Sequence, residues 1–179
     1  MNIEIREEGR GDREIIRRIN EAAFGRREEA DIVDKLRQSC SNLLSLVAVA
    51  DELPVGHILF SPITIENRTA SSDGPGEPIL GMGLAPMAVL PEHQRAGVGS
   101  QLVREGLKRL RAASTPFVIV LGHPEYYPRF GFQPASRYGI QCQWEGVPDQ
   151  AFMILTFHDS ALRGVLGVAR YRDEFDEAL

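Results

Sequence analysis

Cysteine and tryptophan are scarce in this chain: its 179 residues include two cysteines and one tryptophan. Cys40 and Cys142 lie far apart with no Cys-x-x-Cys spacing, too few for a disulfide framework and consistent with a reducing compartment. His57, His93, His123 and His158 are scattered, without the clustered ligands of a zinc site, so no metal is expected. No apolar run approaches the roughly 20 residues that a membrane-spanning helix needs. Phe117–Leu121 is as long as such runs become. Residues 1–10 carry charges where a secretory leader would be apolar. These absences predict a soluble, cytoplasmic protein with no membrane partner.

An excess of basic charge is also missing. Lys and Arg total 20 against 25 Asp and Glu, a net charge of -5. That balance disfavours general nucleic-acid binding, which needs cations to displace counterions from phosphates, and no nucleic-acid partner is expected. What is present is an ordinary globular composition, 43% hydrophobic and 25% charged. The length suits a single domain over residues 1–179.

Ile3 and Ile5 alternate with Glu4 and Arg6, which predicts a strand over 3–7. Asp12 is the expected N-cap of a helix on which Ile15, Ile16, Ile19, Ala22 and Ala23 recur at helical spacing. A second helix is predicted over 27–38, with Glu28, Glu29 and Asp31 in the first turn, where the helix dipole favours negative charge. Residues 44–50 and 55–65 read as a hairpin, followed by a mobile surface loop over 66–78. Then come a strand within 79–90, a strongly amphipathic helix over 100–113 and a buried strand at 117–121. A short helix opened by proline over 124–130, strands near 140–144 and 151–157, and a charged tail from Arg170 complete the order.

The chemistry-bearing stretch runs from Leu84 to Ser100, a strand, a tight loop and the start of the amphipathic helix. Backbone N–H groups in such a loop converge on one spot, and the helix N-terminus adds about half a positive charge, which suits a phosphate or pyrophosphate. Gly97 and Gly99 let the backbone approach an anion closely, and Arg95 adds a permanent cation at the rim. A P-loop is ruled out because no Gly-Lys-Ser/Thr follows, and the dinucleotide fingerprint fails because Leu102 stands where glycine or alanine is needed.

Gln94-Arg95-Ala96-Gly97-Val98-Gly99 resembles the Gln/Arg-x-x-Gly-x-Gly/Ala loop of the GNAT N-acetyltransferase superfamily. Tyr127-Pro128-Arg129-Phe130-Gly131-Phe132 resembles the family's second signature, a tyrosine four residues before Gly-Phe. The wider string GHPEYYPRFGF is similar to that of a bacterial subgroup. The resemblance implies an α/β, three-layer fold with a mixed, mostly antiparallel central sheet flanked by helices and splayed parallel strands at the cofactor cleft.

It also implies acetyl-CoA as cosubstrate. Met87, Ala88 and Val89 would line the cleft, an N–H near Val89 would polarise the thioester carbonyl, and Gln94, Arg95, Ala96, Gly97, Val98, Gly99 and Ser100 would hold the pyrophosphate. Tyr127 is the implied general acid for the departing thiolate. The acceptor would be a primary amine of a small molecule, peptide or protein, attacking directly in a ternary complex. His123 departs from the asparagine many members carry near the cofactor.

Glu92, His57 and Glu125 remain open as bases acting through a water. The acceptor site would draw on residues 24–30 and 66–78. Glu28, Glu29 and Asp31 read either as a rim for a cationic amine or as a solvated helix start. A noncatalytic acyl-CoA binding or sensing domain is the alternative, and an unrelated nucleotide-binding fold is a third reading. A homodimer is left open, through exposed strand edges and residues 161–171.

Overall fold

The computed structural model describes residues 2–71, 74–158 and 160–178. The chain forms two compact units, each assembled from separated segments. The first holds residues 1–61, 84–109 and 173–179, and the second holds 62–83 and 110–172. In chain order the strands and helices are β1 (Ile3–Glu7), α1 (Arg13–Phe24), α2 (Glu28–Ser39), β2 (Leu44–Ala50), β3 (Leu53–Asn67), β4 (Ala70–Ser71) and β5 (Gly74–Pro75). They continue with β6 (Ile79–Val89), α3 (Val98–Ala112), β7 (Phe117–Leu121), β8 (Gln133–Pro134), β9 (Ile140–Cys142), β10 (Phe152–Thr156) and β11 (Gly167–Arg170). β3 and β6 are long enough to serve both units.

In the first unit the strand order is β1-β2-β3-β6. β1 runs antiparallel to β2, with Ile5 opposite Ala48, and β2 runs antiparallel to β3, with Leu46 opposite Ile58. The β2–β3 turn places Asp51 and Glu52 at φ 48° and 69°, the pair of positive values a two-residue hairpin turn requires. Because side chains alternate along a strand, β3 buries two different faces. Gly56 meets Val98 and Leu102 of α3, and Phe60 meets Gly106 of the same helix, while His57 points to Asn20 of α1. The sheet therefore lies between α3 on one face and α1 on the other, giving the three layers.

α1 buries Ile16 and Ile19, and α2 buries Ala30, Ile32, Val33 and Leu36. Gly25, at φ 70°, ends α1 and donates its N–H to the Glu21 carbonyl. Arg17 of α1 ties the two helices together through Asp31 (2.5 Å) and Asp34 (2.7 Å) of α2. Asp12 precedes α1 as expected but does not cap it. Its carboxylate instead binds both terminal nitrogens of Arg6, at 2.6 and 2.9 Å, and accepts from the Gly9 N–H. A bidentate guanidinium is the stronger partner and takes the carboxylate away from the helix end.

In the second unit, β7 pairs antiparallel with β10, Ile119 opposite Ile154, and β10 pairs antiparallel with the short β8. β11 runs antiparallel to the end of β3 and parallel to β9. The core here includes Phe117, Val118, Ile119, Phe132, Met153 and Ile154. The expected loop over 66–78 is shorter than its sequence suggests: β3 extends to Asn67, and β4 and β5 form a small antiparallel hairpin. Ser72 and Asp73 of that predicted loop lie outside the described residues, as does Leu179 of the predicted tail. The tail itself starts later than Arg170, because Tyr171 and Phe175 are both buried. Residues 167–170 pair on both edges within their own unit, with β3 and with β9. Among the described residues, no helix is long and apolar enough to cross a membrane.

Candidate active site

β6 ends where its neighbour begins to turn. The Leu90 N–H donates to the Val55 carbonyl (2.9 Å), so Val89, one residue earlier, presents its own N–H to the opposite strand edge. The Val89 carbonyl accepts from the Gln94 side-chain amide at 3.0 Å. Between these two residues lies a 3-10 turn, Pro91–His93, opened by its proline. The Nε2 amide of Gln94 staples the loop to the strand that precedes it.

Beyond Gln94 the backbone takes up two left-handed positions, Arg95 at φ 61° and Gly97 at φ 85°. Glycine is the residue that accepts the second without strain, and a β-carbon there would meet nothing within 4 Å. The space above Gly97 is therefore open. Arg95 holds the first against the ordinary preference of L-residues, its guanidinium exposed and in no ion pair among the described residues. Backbone strain of this kind clusters at functional sites.

α3 starts at Val98, two residues earlier than the periodicity of its apolar face suggests. Its first i,i+4 bond at this end runs from the Gln101 N–H to the Gly97 carbonyl. Val98, Gly99 and Ser100 thus form the first turn of the helix, at the positive end of the helix dipole. What fixes this helix end is close packing on β3. A β-carbon on Gly56 would come within 3.0 Å of Val98, and one on Gly106 within 2.4 Å of the Phe60 ring. Of the remaining expected site residues, Met87 is half-buried, Ala88 is buried, and Ala96 is exposed.

Tyr127 belongs to the second unit. The expected short helix over 124–130 is a 3-10 turn confined to Tyr127–Phe130, with Pro128 in its first turn and Gly131 at φ 98° closing it. The Tyr127 ring is buried, edge-on to Tyr126 at 5.1 Å and to Phe132 at 5.7 Å. Gly122 is a glycine because a β-carbon there would lie 2.4 Å from the Tyr127 ring. Burial pushes the Tyr127 phenol well above its ordinary value, with the neighbouring Tyr126 adding to the shift. Tyr126 is occupied differently, with the Arg129 guanidinium over its ring at 4.7 Å.

The three open bases separate on burial. His57 is completely buried in the first unit, between Asn20 Nδ2 (3.2 Å from Nδ1) and the Ser45 hydroxyl (2.9 Å from Nε2). Ser45 has one proton and gives it to Glu8 at 2.5 Å, so His57 donates from Nε2 and accepts at Nδ1. Burial, assisted by Arg37, pushes the imidazole down to about 3. His57 is a neutral core group without access to a reacting water, which corrects its place among the bases. Glu92 and Glu125 are exposed. His123 is exposed as well, and its carbonyl accepts the Tyr126 N–H at 3.0 Å.

Two of the three acidic residues at the start of α2 are neutralised within the first unit, Glu29 by Arg26 and Asp31 by Arg17. That favours a structural helix start over a rim for a cationic substrate. Among the described residues there is no cluster of ligands able to hold a metal ion. Of the Glu8–Ser45–His57–Asn20 chain only His57 stands out in sequence, and only the paired strands and α1 bring the four residues together.

Comparison with known proteins gives this arrangement a context. The family model described as an acetyltransferase (GNAT) domain matches residues 4–135. The uncharacterized N-acetyltransferase YhbS of Escherichia coli strain K12 is 36% identical over 149 residues, covering 83% of each chain. The uncharacterized N-acetyltransferase YjhQ of the same strain is 41% identical over 129 residues, 71% of this chain and 67% of that one. The crystal structure of E. coli YhbS in complex with CoA matches at a TM-score of 0.86 with 33% identity, over 98% of this chain and 93% of that one. A GNAT family acetyltransferase from Brucella melitensis in complex with acetyl-CoA matches at 0.76 with 34% identity, over 98% and 99%. The family expected from the Gln94–Gly99 loop and the Tyr127–Phe132 segment is the one to which this chain belongs: it is a member of the GNAT acetyltransferase family.

Proposed function

We propose that the protein transfers an acetyl group from acetyl-CoA to a primary amine of a small molecule, peptide or protein, by direct attack with both substrates bound. The observation that carries this reading is the loop between β6 and α3. Its left-handed Arg95 and Gly97 turn backbone donors toward open space at a helix N-terminus, the chemistry a pyrophosphate requires. Relatives that match nearly the whole chain have been crystallised with CoA and with acetyl-CoA.

Acetyl-CoA, when bound, supplies the acetyl group as an activated thioester. Val98, Gly99 and Ser100 hold its pyrophosphate through backbone N–H groups, and Arg95 adds charge neutralisation. Gln94 acts indirectly, by fixing the turn on the Val89 carbonyl. The Val89 N–H, aimed away from β3, is the donor for the carbonyl oxygen as charge builds on it. Met87 and Ala88 shape the same strand edge. Tyr127 is the general acid, its phenol kept protonated by burial. The amine attacks as the neutral species, and placing two bound reactants side by side supplies much of the acceleration.

Calorimetric titration with acetyl-CoA, beside ATP and NADH, tests the reading on wild type and on Gly97→Glu. Saturable acetyl-CoA binding that the variant loses is the expected result. Absence of binding by wild type would overturn it. Stoichiometric binding with no thiol release across a wide amine panel would replace the enzyme with an acyl-CoA-binding domain.

A further inference from the structure

A concavity lies within the second unit, lined by none of the residues invoked above for acetyl transfer. It has a volume of about 520 Å3 and is walled by Arg137 and Tyr138 on one side and by Leu162, Arg163, Val165 and Leu166 on the other. That size is in the range of small-molecule sites. Two tight turns form it. The first, Ala135–Tyr138, ends at Gly139 with φ 72°; the second ends at Gly164 with φ 73°.

The turns are stitched together. The Gly167 N–H donates to the Gly139 carbonyl at 3.1 Å, and a β-carbon on Gly139 would sit 2.7 Å from Leu166 and 2.9 Å from the Val165 carbonyl. Segment 162–166 is further tied to β3 and its continuation. Thr69 Oγ1 donates to the Gly164 carbonyl (3.2 Å) and accepts the Leu166 N–H (3.0 Å), and the Arg68 N–H donates to the Leu166 carbonyl (2.7 Å). The concavity is thus preformed by backbone, which lowers the ordering cost of binding.

Its lining combines two features that are each unusual here. The chain carries more carboxylates than cations, and many of its basic side chains form ion pairs, Arg6, Arg17, Arg37, Arg109 and Arg170 among them. Arg137 and Arg163 join no ion pair among the described residues, and the only side-chain partner of Arg137 is the neutral Gln133 at 3.3 Å. Leu166, which lines the same concavity, is 61% exposed, one of four large hydrophobic side chains left in solvent among the described residues, while Val165 is half-buried and Leu162 buried. Two arginines in no ion pair that line one concavity with an apolar patch match a carboxylate on an apolar body, because guanidinium binds carboxylate through paired N–H donors and the patch gains by losing water.

We propose that this concavity is a binding site for a small organic carboxylate with an aliphatic or aromatic body, held at its charged end by Arg137 and Arg163 and packed on Val165 and Leu166. The proposal does not rest on acetyl transfer and stands even if that reading fails.

The test uses the full chain, labelled with nitrogen-15 and titrated with hexanoate, 4-phenylbutyrate, their primary amides and inorganic phosphate at constant ionic strength. The amide signals of Gly139, Gly164 and Leu166 report on the site directly. Saturable shifts of these signals with both carboxylates are expected, with the amides at least tenfold weaker. Arg137→Ala and Arg163→Ala are each expected to weaken binding three- to tenfold, and the double variant to abolish it. Both arginines are exposed, so the variants keep the fold, which the rest of the spectrum verifies. The proposal is overturned if the wild type shows no saturable shifts, if the amides bind as tightly as the acids, or if the double variant binds unchanged. Phosphate binding as tightly as hexanoate would likewise overturn the assignment to an organic acid.

Discussion

The ring of Phe60 occupies the space where a side chain on Gly106 would have to begin: a β-carbon there would lie 2.4 Å from it. Phe60 is wholly buried and has nowhere to retreat, so this contact fixes how closely α3 approaches β3, and with it where the N-terminal end of α3 sits. Gly106→Ala gains about 1 kcal/mol of helix propensity. Overpacking against a rigid ring costs about 1–3 kcal/mol, so the expected balance is destabilisation. Urea unfolding should show a lower midpoint with an unchanged slope, and the Michaelis constant for acetyl-CoA should rise. A variant as stable as wild type would show that α3 can shift without loss.

Arg95 invites the opposite experiment. It holds φ 61° without being glycine, a conformation that costs an L-residue roughly 1–2 kcal/mol. Arg95→Gly relieves that strain, although the glycine gives part of the gain back by loosening the unfolded chain. Stability is expected to stay level or rise by about 1 kcal/mol, while affinity for acetyl-CoA falls several-fold with the loss of the cation. Thermal unfolding and calorimetry on one preparation measure both. A variant that loses stability and keeps its affinity would remove Arg95 from the site.

How far these features could be read from sequence depends on how local their causes are. The β6–turn–α3 segment was legible because its determinants are consecutive: the proline, the two loop glycines and the periodicity of Leu102, Val103 and Leu107 all lie within a few turns. Asp12 shows the limit. Its capping chemistry is local, but the partner that claims it, Arg6, belongs to a neighbouring strand. β11 was missed because four residues carry little periodicity, and its partners, the end of β3 and β9, lie up to about a hundred positions away. Tyr127 was identified from its spacing to Gly131-Phe132, whereas its burial depends on Gly122, whose missing side chain has meaning only once the ring is in place.

His57 makes stability depend on pH with a definite sign. In the folded protein its imidazole is pushed down to about 3, by burial first and by Arg37 second, against an unfolded value of 6.5. Between those values the unfolded chain binds the extra proton, so the contribution is complete above pH 6.5 and is lost as pH falls toward 3. The slope approaches about 1.4 kcal/mol per pH unit. Asp12, Asp31, Glu66 and Glu105, all held below their ordinary values mainly by hydrogen bonds from arginine, lose stability in the same direction but only below about pH 4.5. Urea unfolding at pH 7, 6 and 5 isolates the histidine. His57→Gln should be less stable at pH 7 and should show a much flatter dependence across this interval. An unchanged slope in the variant would mean that the imidazole is not its source.

Tyr127 can be separated from its packing because two different substitutions disturb two different things. Tyr127→Phe removes the hydroxyl and keeps the ring against Tyr126 and Phe132, so the fold and the Michaelis constant for acetyl-CoA should stay within about twofold of wild type. Loss of a general acid lowers turnover by about a hundredfold or more. Gly122→Ala keeps the hydroxyl and drives a methyl group into the ring, so stability should fall by about 1–3 kcal/mol together with turnover. The pH profile adds a further constraint. The phenol is raised well above its ordinary 10 by burial, so wild-type turnover should show no falling limb from this group near pH 10. A Tyr127→Phe enzyme with wild-type turnover would dismiss the hydroxyl as the acid and leave the ring as packing alone. Loss of turnover in Tyr127→Phe at unchanged stability, beside parallel losses in Gly122→Ala, would instead tie the proton to this residue and explain why the chain keeps a glycine at position 122.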